Sequence, residues 1–278
     1  MKIKTKILFT SILTVIFFVS CKQKTIMTTE NSHSETYYLA TDTSKGSLHL
    51  NLLVELPVCY HNELILDSIR NTLITNLFGS DYLQFGNDSI LKIFAASLIN
   101  EYKITNEPLL EQLDSTAFYS FFNEHNLEGF SLLNDQNIYS YGINRYVFMG
   151  GAHGLTTLNY FNFDLKNGKQ IKESDLFKAG FEETLTSLLK TRIVEQSNED
   201  PNVETIISLD DTDYWVDAIK PNSNFYITDE SINYVFNPYE IAPYYMGITE
   251  VVIPFDRLKD MLNKPSVIDY LIYKETVE

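Results

Sequence analysis

The 278-residue sequence lacks the motifs of most cofactor and redox proteins. Its only cysteines are Cys21 and Cys59, so it has no C-x-x-C pair. It also lacks a P-loop, a G-x-S-x-G motif and an H-x-x-x-H pair. Cys59 and His61 lie two residues apart, which leaves a thiol–imidazole pair open, but a buried structural cysteine is the simpler expectation. We predict no catalytic residue, no metal and no cofactor.

Basic residues are scarce: 21 Lys and Arg stand against 37 Asp and Glu, giving a formal net charge of −16. Removal of residues 1–20 would take away three lysines and no acid, which leaves 18 − 37 = −19. Such a chain repels nucleic acid and anionic headgroups and attracts basic partners, and salt weakens that attraction. We expect no nucleic-acid partner. Solubility alone is the other reason for an acidic surface.

A hydrophobic run long enough to span a membrane is missing from the N-terminus. Residues 7–19 are uncharged, follow three lysines and form a 13-residue run, which fits the core of a signal peptide. The letters FFVSC resemble a lipobox, with Phe18 where Leu is usual. We therefore predict a signal peptide over 1–20 and a lipid of the palmitate type on Cys21, which would rule out an internal disulfide. An uncleaved anchor or an ordinary signal peptide is the alternative.

Periodicity indicates both helices and strands. Residues 21–44 are polar and aperiodic, which predicts a flexible tether. Apolar residues recur at helical spacing in three segments, 62–77, 88–99 and 181–194. Alternating patterns predict a strand over 47–56 that Pro57 ends, a meander over 117–165, a hairpin over 224–236 and a strand over 248–255. The pair Asn167-Gly168 predicts a tight turn.

This distribution of elements predicts an α+β fold. Antiparallel sheets with packed helices in two closely packed subdomains are expected, because the strands cluster instead of alternating with the helices. We place an N-terminal subdomain at 45–145, a C-terminal domain at 146–265 and a C-terminal tail at 266–278.

The segment GGAHG sets His153 among Gly150, Gly151 and Gly154. Glycines permit positive φ and close backbone approach, so we favour a structural turn in which the imidazole ties loops together by hydrogen bonds. Contact with a ligand is the alternative for His153. A hydrolase using His153 as a base would need a nucleophile or an orienting acid beside it.

Aromatic residues cluster in NPYEIAPYYMG. Tyr244 and Tyr245, together with Trp215, are candidate ligand contacts because Tyr and Trp supply large contact area at low entropic cost. They could equally be core residues, and we expect Tyr239 to be buried. An acidic cluster precedes Trp215 but lacks the spacing of a calcium loop, so a solvated face is expected. Its members are Asp210, Asp211 and Asp213.

Four ordered motifs carry a family resemblance: YVFMGGAHG, FNFDLKNGKQIKESDLF, NFYITDESINYVFNPYEIAPYYMG and VVIPFDRL. Together they resemble an extracytoplasmic domain of unknown function shared by RsiV-type anti-sigma factors and PdaC-type cell-wall proteins. The resemblance covers 145–262, and residues 45–140 resemble the companion domain that precedes it. It implies an α+β fold and a region that binds lysozyme in RsiV-type proteins, with no catalytic residue ascribed to it.

These observations predict a non-catalytic lipoprotein of the bacterial cell envelope, lipid-anchored, extracytoplasmic or periplasmic. It would bind a basic lysozyme-like protein or a peptidoglycan fragment. Two alternatives stay open. One is a hydrolase or deacetylase acting on envelope polymers with His153 in its site, and the other is a structural protein that contacts other envelope proteins.

Overall fold

The structure is a computed structural model that describes residues 24–110, 112, 115–199 and 205–273. Its larger sheet has six strands that follow one another in chain order. They are β1 (Met27–Tyr38), β2 (Ser47–Cys59), β3 (Phe122–Asn134), β4 (Ile138–Met149), β5 (Leu155–Asp164) and β6 (Lys169–Gln170). Neighbouring strands are antiparallel except β2 and β3, which run parallel. A parallel pair needs a long crossover, and two helices provide it.

The crossover helices α1 (Glu63–Leu77) and α2 (Asn87–Asn106) cover one face of this sheet. Helix α1 begins where the side chain of Asn62 accepts the backbone N–H groups of Leu64 and Ile65. At its end, Arg145 of β4 donates to the carbonyl oxygen of Leu77 at 3.1 Å. Burial lowers the pKa of Arg145, and the negative end of the helix favours its positive charge.

The second subdomain is built on a three-stranded antiparallel sheet of β7 (Phe225–Ile227), β8 (Ser231–Phe236) and β9 (Thr249–Pro254). Three helices accompany it: α3 (Glu173–Leu176), α4 (Glu182–Ser197) and α5 (Asp269–Ile272). Its apolar core is distinct from the core of the larger sheet. The predicted α+β class is thus confirmed, but the larger sheet is mixed and not purely antiparallel as predicted, because the crossover through α1 and α2 makes β2 and β3 parallel.

A buried asparagine joins the two sheets. The amide of Asn162 in β5 donates to the Phe225 carbonyl at 2.7 Å, and its oxygen accepts the Ile227 N–H at 3.0 Å. The hydroxyl of Ser140 donates to the same oxygen at 2.7 Å. Both Ser140 and Asn162 are almost fully buried. The second subdomain therefore hydrogen-bonds directly to the larger sheet.

Two further asparagines of the second subdomain hydrogen-bond to the outer edge of β5. Asn224 accepts the backbone N–H of Tyr160 at 2.9 Å, and Asn237 accepts that of Leu158 at 2.7 Å. Both also donate to the Leu158 carbonyl. The short β6 pairs only with Phe163 and Asp164, so these side chains satisfy backbone groups that a longer partner strand would have bonded.

Three predicted boundaries are wrong. Residues 27–38 are not a tether but strand β1, paired with β2 along its whole length. A boundary between 145 and 146 would cut β4, and the strand that follows it also belongs to the larger sheet. The predicted tail contains Ile268 and Leu271, which are buried in the second core. The polar composition of β1 reflects an edge strand, which buries little side-chain surface.

The predictions around β2 need two corrections. Pro57 does not end the strand, because it lies beside a register shift in the pairing with β1, where a missing N–H is tolerated. Cys59 is disulfide-bonded, which contradicts the expectation of no internal disulfide and removes the thiol that a Cys59–His61 pair would need. The other cysteine of the sequence, Cys21, lies outside the described residues, and so does the predicted signal peptide.

Most local predictions agree with the structure. The helices at 62–77 and 181–194 are confirmed as α1 and α4, and the meander as β3, β4 and β5. The Asn167-Gly168 turn is confirmed by φ of +70° at Gly168, whose N–H donates to the Asp164 carbonyl at 2.8 Å. Within the described part of the chain, none of the helices combines the length and hydropathy that crossing a bilayer requires.

Candidate functional site

The GGAHG segment forms the turn between β4 and β5. Gly150 has φ of +72°, and a Cβ there would lie 1.8 Å from the carbonyl oxygen of Ser120. Gly154 has no positive φ, but a Cβ there would lie 2.4 Å from the ring of Tyr146. Gly151 has neither constraint, because its φ is not in the positive region and open space surrounds it. The turn therefore requires glycine at position 150, for its positive φ and its contact with Ser120, and at position 154, for its contact with Tyr146.

We predict that Gly150→Ala lowers the free energy of unfolding by about 2 kcal/mol, because alanine combines strain at positive φ with a clash against the Ser120 carbonyl. Gly151→Ala is the matched control and should change it by less than about 0.5 kcal/mol. Urea denaturation followed by circular dichroism measures both. Equal effects of the two substitutions would contradict the assignment.

The His153 ring lies on the surface and stacks on Tyr244, with ring centroids 3.8 Å apart and an interplanar angle of 21°. Its Nδ1 donates to the Gly154 carbonyl at 3.0 Å, and the Tyr244 hydroxyl donates to the same oxygen at 2.7 Å. Tyr239 extends the stack, 5.7 Å from Tyr244. The imidazole thus ties the β4–β5 turn to the segment after β8.

Tyr239 is not buried as expected, because 52% of it is exposed. It has φ of +71°, an uncommon conformation for a residue with a Cβ. The three-residue 3₁₀ turn Tyr244–Met246 follows it and leaves Tyr245 69% exposed. The sequence did not predict that Tyr239 is exposed, because a large aromatic residue between prolines resembles a core residue. The positive φ that turns its side chain outward cannot be predicted from the sequence.

A third loop brings Trp215 to the same region. The backbone N–H of Trp215 donates to the Ile241 carbonyl at 2.7 Å, and the Tyr245 hydroxyl hydrogen-bonds to Asp213. Trp215 itself is 45% exposed. Three loops therefore present neighbouring exposed or half-exposed aromatic rings, which we call the aromatic loop surface. Its members are His153, Trp215, Tyr239, Tyr244 and Tyr245.

Exposed carboxylates accompany these rings. Glu240 accepts from the amides of Asn222 at 3.0 Å and Asn237 at 3.3 Å. None of the acids in these loops forms an ion pair with a lysine or arginine among the described residues. The aromatic loop surface is therefore flanked by uncompensated negative charge. The exposed acids are Asp210, Asp211, Asp213, Asp217 and Glu240.

The contacts of His153 bear on the hydrolase alternative. Its ring nitrogen bonds to a backbone carbonyl and its face lies on a tyrosine. Neither partner is a nucleophile or an orienting acid for general-base catalysis. No group of three or more His, Cys, Asp and Glu side chains that could hold a metal ion occurs in the described ranges.

The comparison with known families concerns part of the second subdomain. Residues 174–256 match the family model "Protein of unknown function (DUF3298)". Over these residues the chain is similar to the DUF3298 family. The match begins just before the end of α3, runs through β9 and includes Trp215 and the three tyrosines of the aromatic loop surface. His153 lies outside the matched residues, on a turn of the larger sheet.

The chain is also similar to two curated relatives from Bacillus subtilis strain 168 and to one solved structure. The anti-sigma-V factor RsiV is 32% identical over 113 residues, which cover 40% of this chain and 39% of RsiV. The peptidoglycan-N-acetylmuramic acid deacetylase PdaC is 25% identical over 181 residues, which cover 64% of this chain and 36% of PdaC. The chain thus spans less than half the length of these relatives. A DUF3298-family structure from Bacteroides fragilis superposes with a TM-score of 0.78 at 27% identity, covering 88% of this chain and 95% of the other.

Proposed function

We propose that this protein is a non-catalytic binding module of the cell envelope that holds a basic, lysozyme-like protein through the aromatic loop surface. The observation that carries the proposal is the convergence of three loops that place His153, Trp215 and the tyrosines together beside uncompensated carboxylates. A peptidoglycan fragment is the second candidate for the same surface, since sugar rings also stack on tyrosine and tryptophan.

The aromatic side chains and the negative charge contribute differently to binding. Exposed tyrosine and tryptophan side chains supply most of the affinity in protein interfaces, because they bury large areas at low entropic cost. The negative charge of the chain raises the rate of encounter with a basic partner and contributes less to the final affinity. His153 stiffens the surface by stacking on Tyr244. A rigid surface loses less conformational entropy when it binds.

One similarity supports a role without catalysis, and the other supports a role at the cell envelope. RsiV is named as an anti-sigma factor, which is not a catalytic activity, and PdaC is named for chemistry on peptidoglycan. The four motifs resemble those of RsiV-type proteins, and this resemblance implies a region that binds lysozyme. We propose an extracytoplasmic location on this basis.

The anchor in this proposal is a lipid on Cys21. A lipidated Cys21 could not also form a disulfide, so lipidation and an intramolecular bond from Cys59 exclude each other in one molecule. Either modification is compatible with an extracytoplasmic location, because disulfides persist in oxidising compartments and lipid anchors hold proteins at membrane surfaces.

Titration with a basic lysozyme tests the proposed function. We expect binding at low ionic strength and a several-fold weaker Kd when salt rises from about 0.01 M to about 0.15 M, since the Debye length falls from roughly 30 Å to roughly 8 Å. Calorimetry measures both values. Succinylated lysozyme, whose lysines carry negative charge, is the control and should not bind. Failure of native lysozyme to bind at low salt would reject the lysozyme-like partner.

A further inference from the structure

The larger sheet has a second face that the helices do not cover. Helices α1 and α2 pack on one side, and the second subdomain contacts the other side at β4 and β5, including Ser140 and Asn162. Towards β1 the side chains on this second face are exposed, including Ser32, Ser34 and Thr36. A polar strip of sheet therefore remains open beside the second subdomain.

The strand register places the side chains of this face in two straight rows. Asn51 of β2 pairs with Asn126, which pairs with Tyr146, which pairs with Thr156 of β5. In the next row Leu53 lies beside Glu128, and Glu128 beside Asn144. These side chains line a cleft of about 350 Å³. It crosses four strands, which at the usual strand spacing is roughly 14 Å.

Two amide groups in the cleft are oriented by neighbouring carboxylates. The amide nitrogen of Asn126 donates to Glu124 at 2.7 Å, and that of Asn144 donates to Glu128 at 3.5 Å. This leaves the Oδ1 atoms of Asn126 and Asn144 buried and without a partner among the described residues. Rotating either amide would turn its oxygen towards a carboxylate, which is unfavourable. Both oxygens therefore remain acceptors that need a donor.

The cleft has two acceptor oxygens without partners among the described residues, and it lies on a negatively charged face of the sheet. A buried polar atom without a hydrogen bond costs about 1–3 kcal/mol, so two such oxygens in one cleft favour a ligand that brings donors. Four carboxylates and no lysine or arginine occupy the positions of β1 to β4 that face this way. A cation is therefore preferred over a neutral or acidic ligand. The four are Glu30, Glu55, Glu124 and Glu128.

We propose that this cleft binds a cationic amino sugar, as an oligosaccharide of two or more rings. A protonated amine has three N–H donors, which match the two amide oxygens and the Glu128 carboxylate. Asn51 and Thr156, at the two ends of the row, then bond hydroxyl groups of neighbouring rings. Tyr146 contributes an aromatic side chain to the same row. A single ammonium group cannot span the roughly 14 Å between the ends, whereas a short chain of sugars can.

The cleft is distinct from the aromatic loop surface, although the two adjoin. The ring of Tyr146 lies against Gly154, whose carbonyl accepts from His153 and Tyr244 on the other side of the turn. The proposal uses none of the residues assigned to the protein partner. The result of the lysozyme titration therefore does not decide whether the cleft binds an amino sugar.

Calorimetric titration of the whole protein with the β-1,4-linked glucosamine tetramer tests the proposal, at a pH where the amines are protonated. The N-acetylglucosamine tetramer and tetralysine are the comparison probes, since the first lacks the charge and the second lacks the hydroxyls. We expect the glucosamine tetramer to bind at least about tenfold more tightly than either, because charge-assisted and hydroxyl hydrogen bonds each contribute. Equal binding of the acetylated tetramer or of tetralysine would overturn the proposal, as would no binding of the glucosamine tetramer.

A pair of charge-matched variants locates the site. Glu128→Gln removes a carboxylate in the cleft and should weaken binding of the glucosamine tetramer about tenfold. Glu30→Gln removes one on β1, on the same face but outside the cleft, and should weaken it less than about twofold. Equal losses would show that binding depends on overall charge and would overturn the assignment to the cleft. Should Glu128→Gln fail to fold, the three-probe comparison on the unaltered protein still decides the outcome.

Discussion

Replacement of Asn162 by leucine should lower the free energy of unfolding by about 4 kcal/mol, because it removes the hydrogen bonds that join the two sheets. Leucine has a similar volume but no polar atoms. The carbonyl of Phe225, the N–H of Ile227 and the hydroxyl of Ser140 would each lose a partner in a region from which water is excluded. Each unpaired group costs about 1–3 kcal/mol. Chemical denaturation followed by circular dichroism measures the loss.

Asn159→Leu is the matched control for this prediction. Asn159 lies in the same strand, three residues earlier, and is exposed. Its replacement should change the free energy of unfolding by less than about 0.5 kcal/mol. Similar denaturation midpoints for the two variants would show that Asn162 does not hold the subdomains together.

Truncation of Trp215 or Tyr245 to alanine should weaken binding of a basic lysozyme by about 2 kcal/mol, roughly 30-fold in Kd, if the aromatic loop surface contacts this partner. Both side chains are about half or more exposed, so their loss removes contact area without opening the core. The same low-salt titration measures the effect, and thermal unfolding of each variant establishes that it remains folded.

Tyr38→Ala provides the comparison for the aromatic variants. Tyr38 is 49% exposed and lies in β1, at the opposite edge of the larger sheet from β5 and β6. Its loss should leave the lysozyme Kd within about twofold of the unaltered protein. If all three truncations weaken binding alike, or if none does, the partner contacts a different surface.

The sequence indicated which residues form the candidate site, but it did not indicate how they are arranged in space. His153, Tyr244, Tyr245 and Trp215 could be singled out because glycines, prolines and aromatics cluster around them. Their proximity could not, because they come from three loops up to 92 residues apart in the chain. The stack of His153 on Tyr244 and the outward turn of Tyr239 depend on tertiary packing and on one uncommon φ.

The open polar cleft could not be predicted from the sequence either. Asn51, Asn126 and Asn144 each look like an ordinary solvent-facing residue of an alternating strand. Only the register of β2, β3 and β4 places them beside one another, and only the orientation of two amides towards Glu124 and Glu128 leaves their oxygens without partners. A one-residue change of register would place each of them on the opposite face.

The sequence by itself determined the three long helices, most strands, the Asn167-Gly168 turn and the acidic character, because hydrophobic period, turn chemistry and charge are local properties of the chain. The tertiary structure alone decided that polar residues 27–38 form a strand, that β2 and β3 run parallel, and that the larger sheet extends past residue 145. Strand pairing depends on which backbone groups a distant segment leaves unsatisfied. Strand pairing therefore cannot be determined from any single segment of the sequence, because it depends on the whole fold.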